Sequence, residues 1–174
     1  MQIRDMYKKL IYYSSTRFFI LLSFVYSLNL SLTDYHNPVA NHILDAEVVG
    51  NTLIISAMVQ GIEFYDISNP TQLNHLTNFT LSSGGGGGWG GGTKANCVRA
   101  IGNTAYFTSS NGLYVVNISN PFNPQTVGSV SGTSNLNLEN LDLHENVLAV
   151  CAHDDGVLLY DISTSTNPSL SSVI

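Results

Sequence analysis

Gly61-Ile62-Glu63-Phe64-Tyr65-Asp66-Ile67-Ser68-Asn69-Pro70 decides the fold, because the chain writes the same sentence twice more. The second version is Gly112-Leu113-Tyr114-Val115-Val116-Asn117-Ile118-Ser119-Asn120-Pro121. The third is Gly156-Val157-Leu158-Leu159-Tyr160-Asp161-Ile162-Ser163-Thr164-Ser165. The shared columns are Gly, apolar, any residue, two apolar, Asp or Asn, Ile, Ser. A short run of branched and aromatic side chains suits a pleated surface, and Gly before it and Ser-Asn-Pro after it supply turns.

The likeness extends outward. Upstream, Gly50-Asn51-Thr52-Leu53-Ile54-Ile55 aligns with Gly102-Asn103-Thr104-Ala105-Tyr106-Phe107 and with Glu145-Asn146-Val147-Leu148-Ala149-Val150. A further apolar run precedes each of these, at 46–49, 98–101 and 141–144, and another short run follows each Asn-Pro region. Each unit therefore reads as four strands separated by turns. The repeat period is 44 residues from Gly112 to Gly156 and 51 from Gly61 to Gly112. The longer spacing is accounted for by the glycine run at 84–92, which only the first unit carries. A period in the low forties with four strands per unit is the signature of a propeller blade.

The pentads Ile62-Glu63-Phe64-Tyr65-Asp66, Leu113-Tyr114-Val115-Val116-Asn117 and Val157-Leu158-Leu159-Tyr160-Asp161, with the Ile-Ser-Asn-Pro that follows, resemble the LVIVD-repeat family. The resemblance runs from about residue 40 to the C-terminus. It departs at Asn117, at Thr164-Ser165 and at Glu63, which interrupts the apolar pentad. It implies β-propeller blades and a secreted or surface protein, and says little about activity.

The expected fold class is thus all-β: three tandem four-stranded blades of a partial β-propeller at 45–82, 96–131 and 139–174. A Gly-rich insert lies at 83–95, a lead-in at 31–44, and an apolar export segment before that. Propellers close with four or more blades, and each blade buries its faces only against neighbours. Three units imply either a piece of a longer propeller, the preferred reading, or a second copy closing a six-bladed ring.

Residues 1–17 carry four bases and one acid, and an uncharged apolar run follows at 18–28. That is a basic region followed by a short apolar core, expected for a signal peptide or an uncleaved membrane anchor over 1–30. From residue 31 onward only Lys94 and Arg99 are basic, against eleven acids. Such a surface repels phosphate backbones and excludes nucleic acid as a partner. Cys97 and Cys151 sit in apolar runs outside any metal-ligand spacing, and read as small buried hydrophobes rather than a disulfide.

No catalytic residue, cofactor or metal is assigned. Asp66, Asn117 and Asp161 share one repeat position, and the architectural reading prevails over the ligand reading: each, with Ser two residues on, fixes a turn. Gly61, Gly112 and Gly156 are likewise structural. His153-Asp154-Asp155 is the one loop cluster with cation-binding residue types, and a solvated turn is the plainer reading. Glu47, Arg99 and Asp142 align in the first strands, which line the channel of a propeller. They are candidates for a polar channel wall, or show ordinary strand alternation. The expected function is an exported, non-catalytic binding or scaffolding surface for a protein or carbohydrate. The rival is part of a propeller hydrolase or lyase whose active site lies at the channel mouth; convergence of Glu47, Arg99, Asp142 and His153 would favour it.

Overall fold

The computed structural model describes residues 42–57, 61–69, 71–81 and 94–174. The proposed export segment and most of the Gly-rich insert lie outside them. Within them are twelve strands in three separate four-stranded antiparallel sheets. The first blade holds β1 (Asp45–Val49), β2 (Thr52–Ser56), β3 (Ile62–Asp66) and β4 (Asn74–Phe79). The second holds β5 (Ala95–Ile101), β6 (Thr104–Ser109), β7 (Gly112–Asn117) and β8 (Gln125–Ser129). The third holds β9 (Asn140–His144), β10 (Val147–Cys151), β11 (Val157–Asp161) and β12 (Ser169–Val173). The chain meanders, so spatial order equals sequence order in every sheet.

The three quoted stretches form β3, β7 and β11, the third strand of each sheet. Details of the backbone repeat with them. A register shift falls between Phe64 and Tyr65, between Val115 and Val116, and between Leu159 and Tyr160, at one repeat position. Such a bulge bends the strand and increases its twist. The N–H of Ile67, Ile118 and Ile162 donates to the carbonyl of Asn51, Asn103 and Asn146 respectively, at 2.8 to 2.9 Å. Asp66, Asn117 and Asp161 each accept the N–H of the Ser two residues on, at 2.8, 2.9 and 2.8 Å. These side chains hold the turn after the third strand.

Glycine serves two different needs. Gly61 and Gly112 have φ of +94° and +118°, and a Cβ there would lie 2.5 Å from the Phe79 carbonyl oxygen or 2.7 Å from Thr133 Oγ1. Both the dihedral and the space exclude a side chain. Gly50 and Gly102 need only the dihedral, at φ +57° and +56°, with open space around them. The third blade has Glu145 there, at φ +52°.

Strand alternation sorts the side chains onto two faces, and the faces of successive blades meet. Ile54, Ile62 and Phe64 of the first blade pack against Val98, Phe107 and Val116 of the second. On the other face of the second blade, Tyr106, Leu113 and Val115 pack against Leu141, Leu148 and Tyr160 of the third. The second blade is therefore buried on both faces, and every residue of β6 is buried.

Candidate functional site

The innermost strands β1, β5 and β9 lie side by side and bring polar residues together. Two layers form. Asp45, Cys97 and Asn140 share one repeat position, and Glu47, Arg99 and Asp142 the position two residues on. Arg99 links the layers: its Nη1 lies 2.8 Å from Asp45 Oδ2 and its Nε 3.6 Å from Asp142 Oδ1. Asp45 Oδ2 also accepts the N–H of Val98 at 3.0 Å and lies 2.7 Å from Cys97 Sγ. Glu47 accepts the N–H of Ala100 at 3.3 Å. Carboxylates of β1 thus tie down the backbone of β5 in the next blade.

The electrostatics follow from this enclosure. Burial works against the charge on Asp45. Hydrogen bonds from Cys97, Val98 and Ala46 and the Arg99 guanidinium overcome that cost and hold its carboxyl below the usual carboxylate range. Burial, with the hydrogen bond to Asp45, pushes the Cys97 thiol up to about 12. A thiol held protonated is a weak nucleophile and a poor metal ligand.

Beside this cluster opens a cavity of about 520 Å³, lined by Leu44, Asp45, Asn96, Arg99, Asn137 and Asn140, with Cys97 and Glu139 completing it. Asn137, Glu139 and Asn140 are exposed, and Asn96 donates to the carbonyl of Leu138 at 2.8 Å.

The sequence-level candidates divide. Glu47, Arg99 and Asp142 come together on the inner strands, joined by Asp45, Cys97 and Asn140, which sequence reasoning missed as polar partners. Alternation carried the missing signal: Asp45 stands two residues before Glu47, on the same side of β1. His153, Asp154 and Asp155 form a single 3-10 turn. His153 has φ of +47° and reaches Asp154 at 3.0 Å and, at 4.0 Å, Glu139 at the cavity rim. It does not line the cavity with Arg99. Among the described residues no group of three His, Cys, Asp or Glu is placed to hold a metal ion. Neither cysteine is in a disulfide. Cys97 is buried as expected, but Cys151 is exposed, contrary to the expectation, because it points from a sheet face that no described residue covers.

Comparison with known proteins agrees with this architecture. The LVIVD repeat family model matches residues 92–132, the span of the second blade. No curated protein matches the chain. The computationally designed Ika4 protein is similar in structure with a TM-score of 0.56 at 15% identity, over 84% of this chain and 80% of that one. The periplasmic gluconolactonase PpgL of Pseudomonas aeruginosa is similar with a TM-score of 0.55 at 12% identity, over 76% of this chain but only 38% of its own. PorZ, a surface component of the type-IX secretion system of Porphyromonas gingivalis, is similar with a TM-score of 0.51 at 15% identity, over 78% of this chain and 17% of its own. The chain thus spans well under two thirds of either natural protein. Its middle blade matches the LVIVD repeat model, and the three sheets form an all-β fold of the β-propeller type.

Proposed function

We propose that the chain is an exported, non-catalytic repeat module whose binding surface is the cavity at the inner strands, and that this cavity takes a neutral carbohydrate. One observation carries the reading. Arg99 is spent on Asp45 and Asp142, while Asn137 and Asn140 stay exposed at the rim, Asn140 with its Oδ1 accepting the N–H of Leu141 at 2.8 Å and its amide nitrogen left to donate. Carboxamides donate and accept at once, which matches hydroxyl groups. The basic and then apolar N-terminal sequence supports export. Titration with a panel of neutral oligosaccharides tests the proposal. Binding is expected, and Asn137→Ala with Asn140→Ala is expected to weaken it by about tenfold, the loss of one or two hydrogen bonds. Binding by acidic oligosaccharides alone, or binding indifferent to both substitutions, would count against it.

The convergence of Glu47, Arg99 and Asp142 favours a second reading, part of a propeller hydrolase or lyase. The resemblance to a protein named a gluconolactonase supports the fold alone at its level of identity. One feature weighs against catalysis: His153 does not join Arg99 at the cavity. Lactone and ester substrates are expected to show no turnover above the uncatalysed rate. Turnover abolished by Arg99→Ala would establish the enzyme reading instead.

A further inference from the structure

The repeat departs from its own pattern at one turn residue, and the turn does not account for the departure. After the third strand of each blade stands Asp66, Asn117 or Asp161, each followed by Ile and Ser. The turn uses one side-chain oxygen, which accepts the N–H of Ser68, Ser119 or Ser163 at 2.8, 2.9 and 2.8 Å. A carboxylate makes that bond more strongly than a carboxamide does. Its second oxygen can also hold the serine hydroxyl: Ser68 Oγ donates to Asp66 Oδ2 at 3.0 Å. Asn117 has Nδ2 in place of that oxygen, and among the described residues neither this nitrogen nor Ser119 Oγ has a hydrogen-bond partner. Charge crowding does not account for the asparagine either. Asn117 pairs across the sheet with Thr104 and Gln125, Asp66 with Thr52 and Asn74, and Asp161 with Val147 and Ser169, all uncharged.

What the second blade gains is Asn117-Ile118-Ser119, the Asn-x-Ser acceptor pattern for N-linked glycans. The pattern needs a carboxamide nitrogen and a hydroxyl two residues on. Those are the two groups the turn leaves unused, and Asn117 and Ser119 are both exposed. We propose that Asn117 is the acceptor of an N-linked glycan. In the transfer, Nδ2 attacks C1 of a sugar carried on a lipid pyrophosphate. The N–C1 bond forms, the C1–O bond breaks, and the lipid pyrophosphate leaves with the electron pair. One Nδ2 proton passes to a base of the transferring enzyme. Oδ1 is not consumed, so the bond from Ser119 and the turn both survive. The place also suits a bulky group. Asn117 lies level with Thr104 and so with Ile101, at the far end of β5 from Asn96 and Cys97, which line the cavity. A glycan there leaves the cavity open. Two other stretches match the pattern. Asn29-Leu30-Ser31 lies outside the described residues, and Asn78 stands within β4 with its carboxamide engaged by His75 Nε2 at 2.8 Å. The assignment rests on the export reading, because the transferring enzymes act on exported chains.

The test expresses the full chain in cultured eukaryotic cells, once behind its own N-terminal residues and once behind a borrowed secretion leader. N-glycans are released enzymatically in heavy-oxygen water, which marks each released asparagine for mass spectrometry. Behind the borrowed leader, the Asn117 peptide is expected to carry the mark in most secreted molecules. Asn117→Asp keeps the turn, as Asp66 and Asp161 do. It is expected to lose the mark and to leave the thermal midpoint of the unglycosylated chain no lower. Ser119→Ala is expected to lose the mark and Ser119→Thr to keep it, a pattern that a purely structural role for the Asn117 side chain does not produce. A secreted chain with Asn117 unmodified, or marked at Asn78 alone, would overturn the assignment, as would a mark at Asn117 that survives Ser119→Ala. A marked Asn117 behind the borrowed leader, with the chain retained in the cytosol behind its own, would support the acceptor assignment and defeat the export reading instead.

Discussion

The second and third blades carry the same strands, turns and bulge, yet they differ in what surrounds them. Tyr106, Phe107, Leu113 and Val116 of the second blade are each fully buried, whereas Val147 of the third is 46% exposed and Leu170 55%. A propeller blade is a single sheet with two apolar faces, so its stability belongs to the stack rather than to the blade. The chemistry at the inner strands depends on the same stacking. Asp45 and Asp142 reach Arg99 only because three blades stand side by side. The comparison separates what a repeat contributes by itself, which is local backbone geometry, from what its neighbours contribute, which is burial and the polar cluster.

Core truncation breaks the comparison most sharply. Phe107→Ala, in the face between the first and second blades, is expected to cost about 3–5 kcal/mol, because it removes a large side chain and leaves a cavity. Leu159→Ala, on the face of the third blade that no described residue covers as a sheet, is expected to cost less than about 1 kcal/mol, since its side chain is only half-buried. Urea denaturation of the two variants checks both figures.

The next effect concerns the turns. Gly112→Ala drives a Cβ against Thr133 at φ +118° and is expected to cost about 2 kcal/mol or more, from strain and overpacking together. Gly102→Ala meets only the left-handed dihedral and is expected to cost about 1 kcal/mol. In the third blade the same turn position is occupied by Glu145, so Glu145→Gly is expected to stabilise by about 1 kcal/mol, with a matching rise in the urea midpoint. A loss of stability there would mean that the third turn differs from its two counterparts.

The smallest effect is electrostatic and joins the first blade to the second. The Asp45 carboxyl is held below its ordinary value of 3.8, so the folded state binds that proton less readily than the unfolded chain. Its contribution is present above about pH 4 and is lost as pH falls through the lowered folded value. Thermal midpoints measured from about pH 6 down to about pH 2 are expected to decline, and Asp45→Asn is expected to flatten part of that decline while lowering the midpoint at neutral pH. An unchanged pH profile would remove Asp45 from the inter-blade link.

Much of the fold was legible because the repeat writes backbone geometry into side-chain type. Gly61, Gly112 and Gly156 mark positive φ, Asp66, Asn117 and Asp161 mark the turn after the third strand, and the apolar pentads mark the buried strands. The site was legible only in part. Alignment brought Glu47, Arg99 and Asp142 into one column, since repeat position encodes distance from the axis. It did not reveal that Asp45, from a different column, is the nearer of the two carboxylates paired with Arg99, because that contact crosses between blades and depends on side-chain reach. Cys151 was misjudged for a related reason. Its column is filled by buried Ser56 and Thr108 in the other blades, and only the absence of a covering sheet among the described residues leaves it exposed.

Residue-resolved amide hydrogen exchange tests the three-blade stack most directly. The account predicts slow exchange in all three third strands, with β6 and β7 the last to exchange, β10 and β11 intermediate, and the outermost β12 fastest among the strands of its sheet. Exchange of Gly112–Asn117 at the rate of the surrounding loops, or faster than Val157–Asp161, would contradict a middle blade clamped between its neighbours.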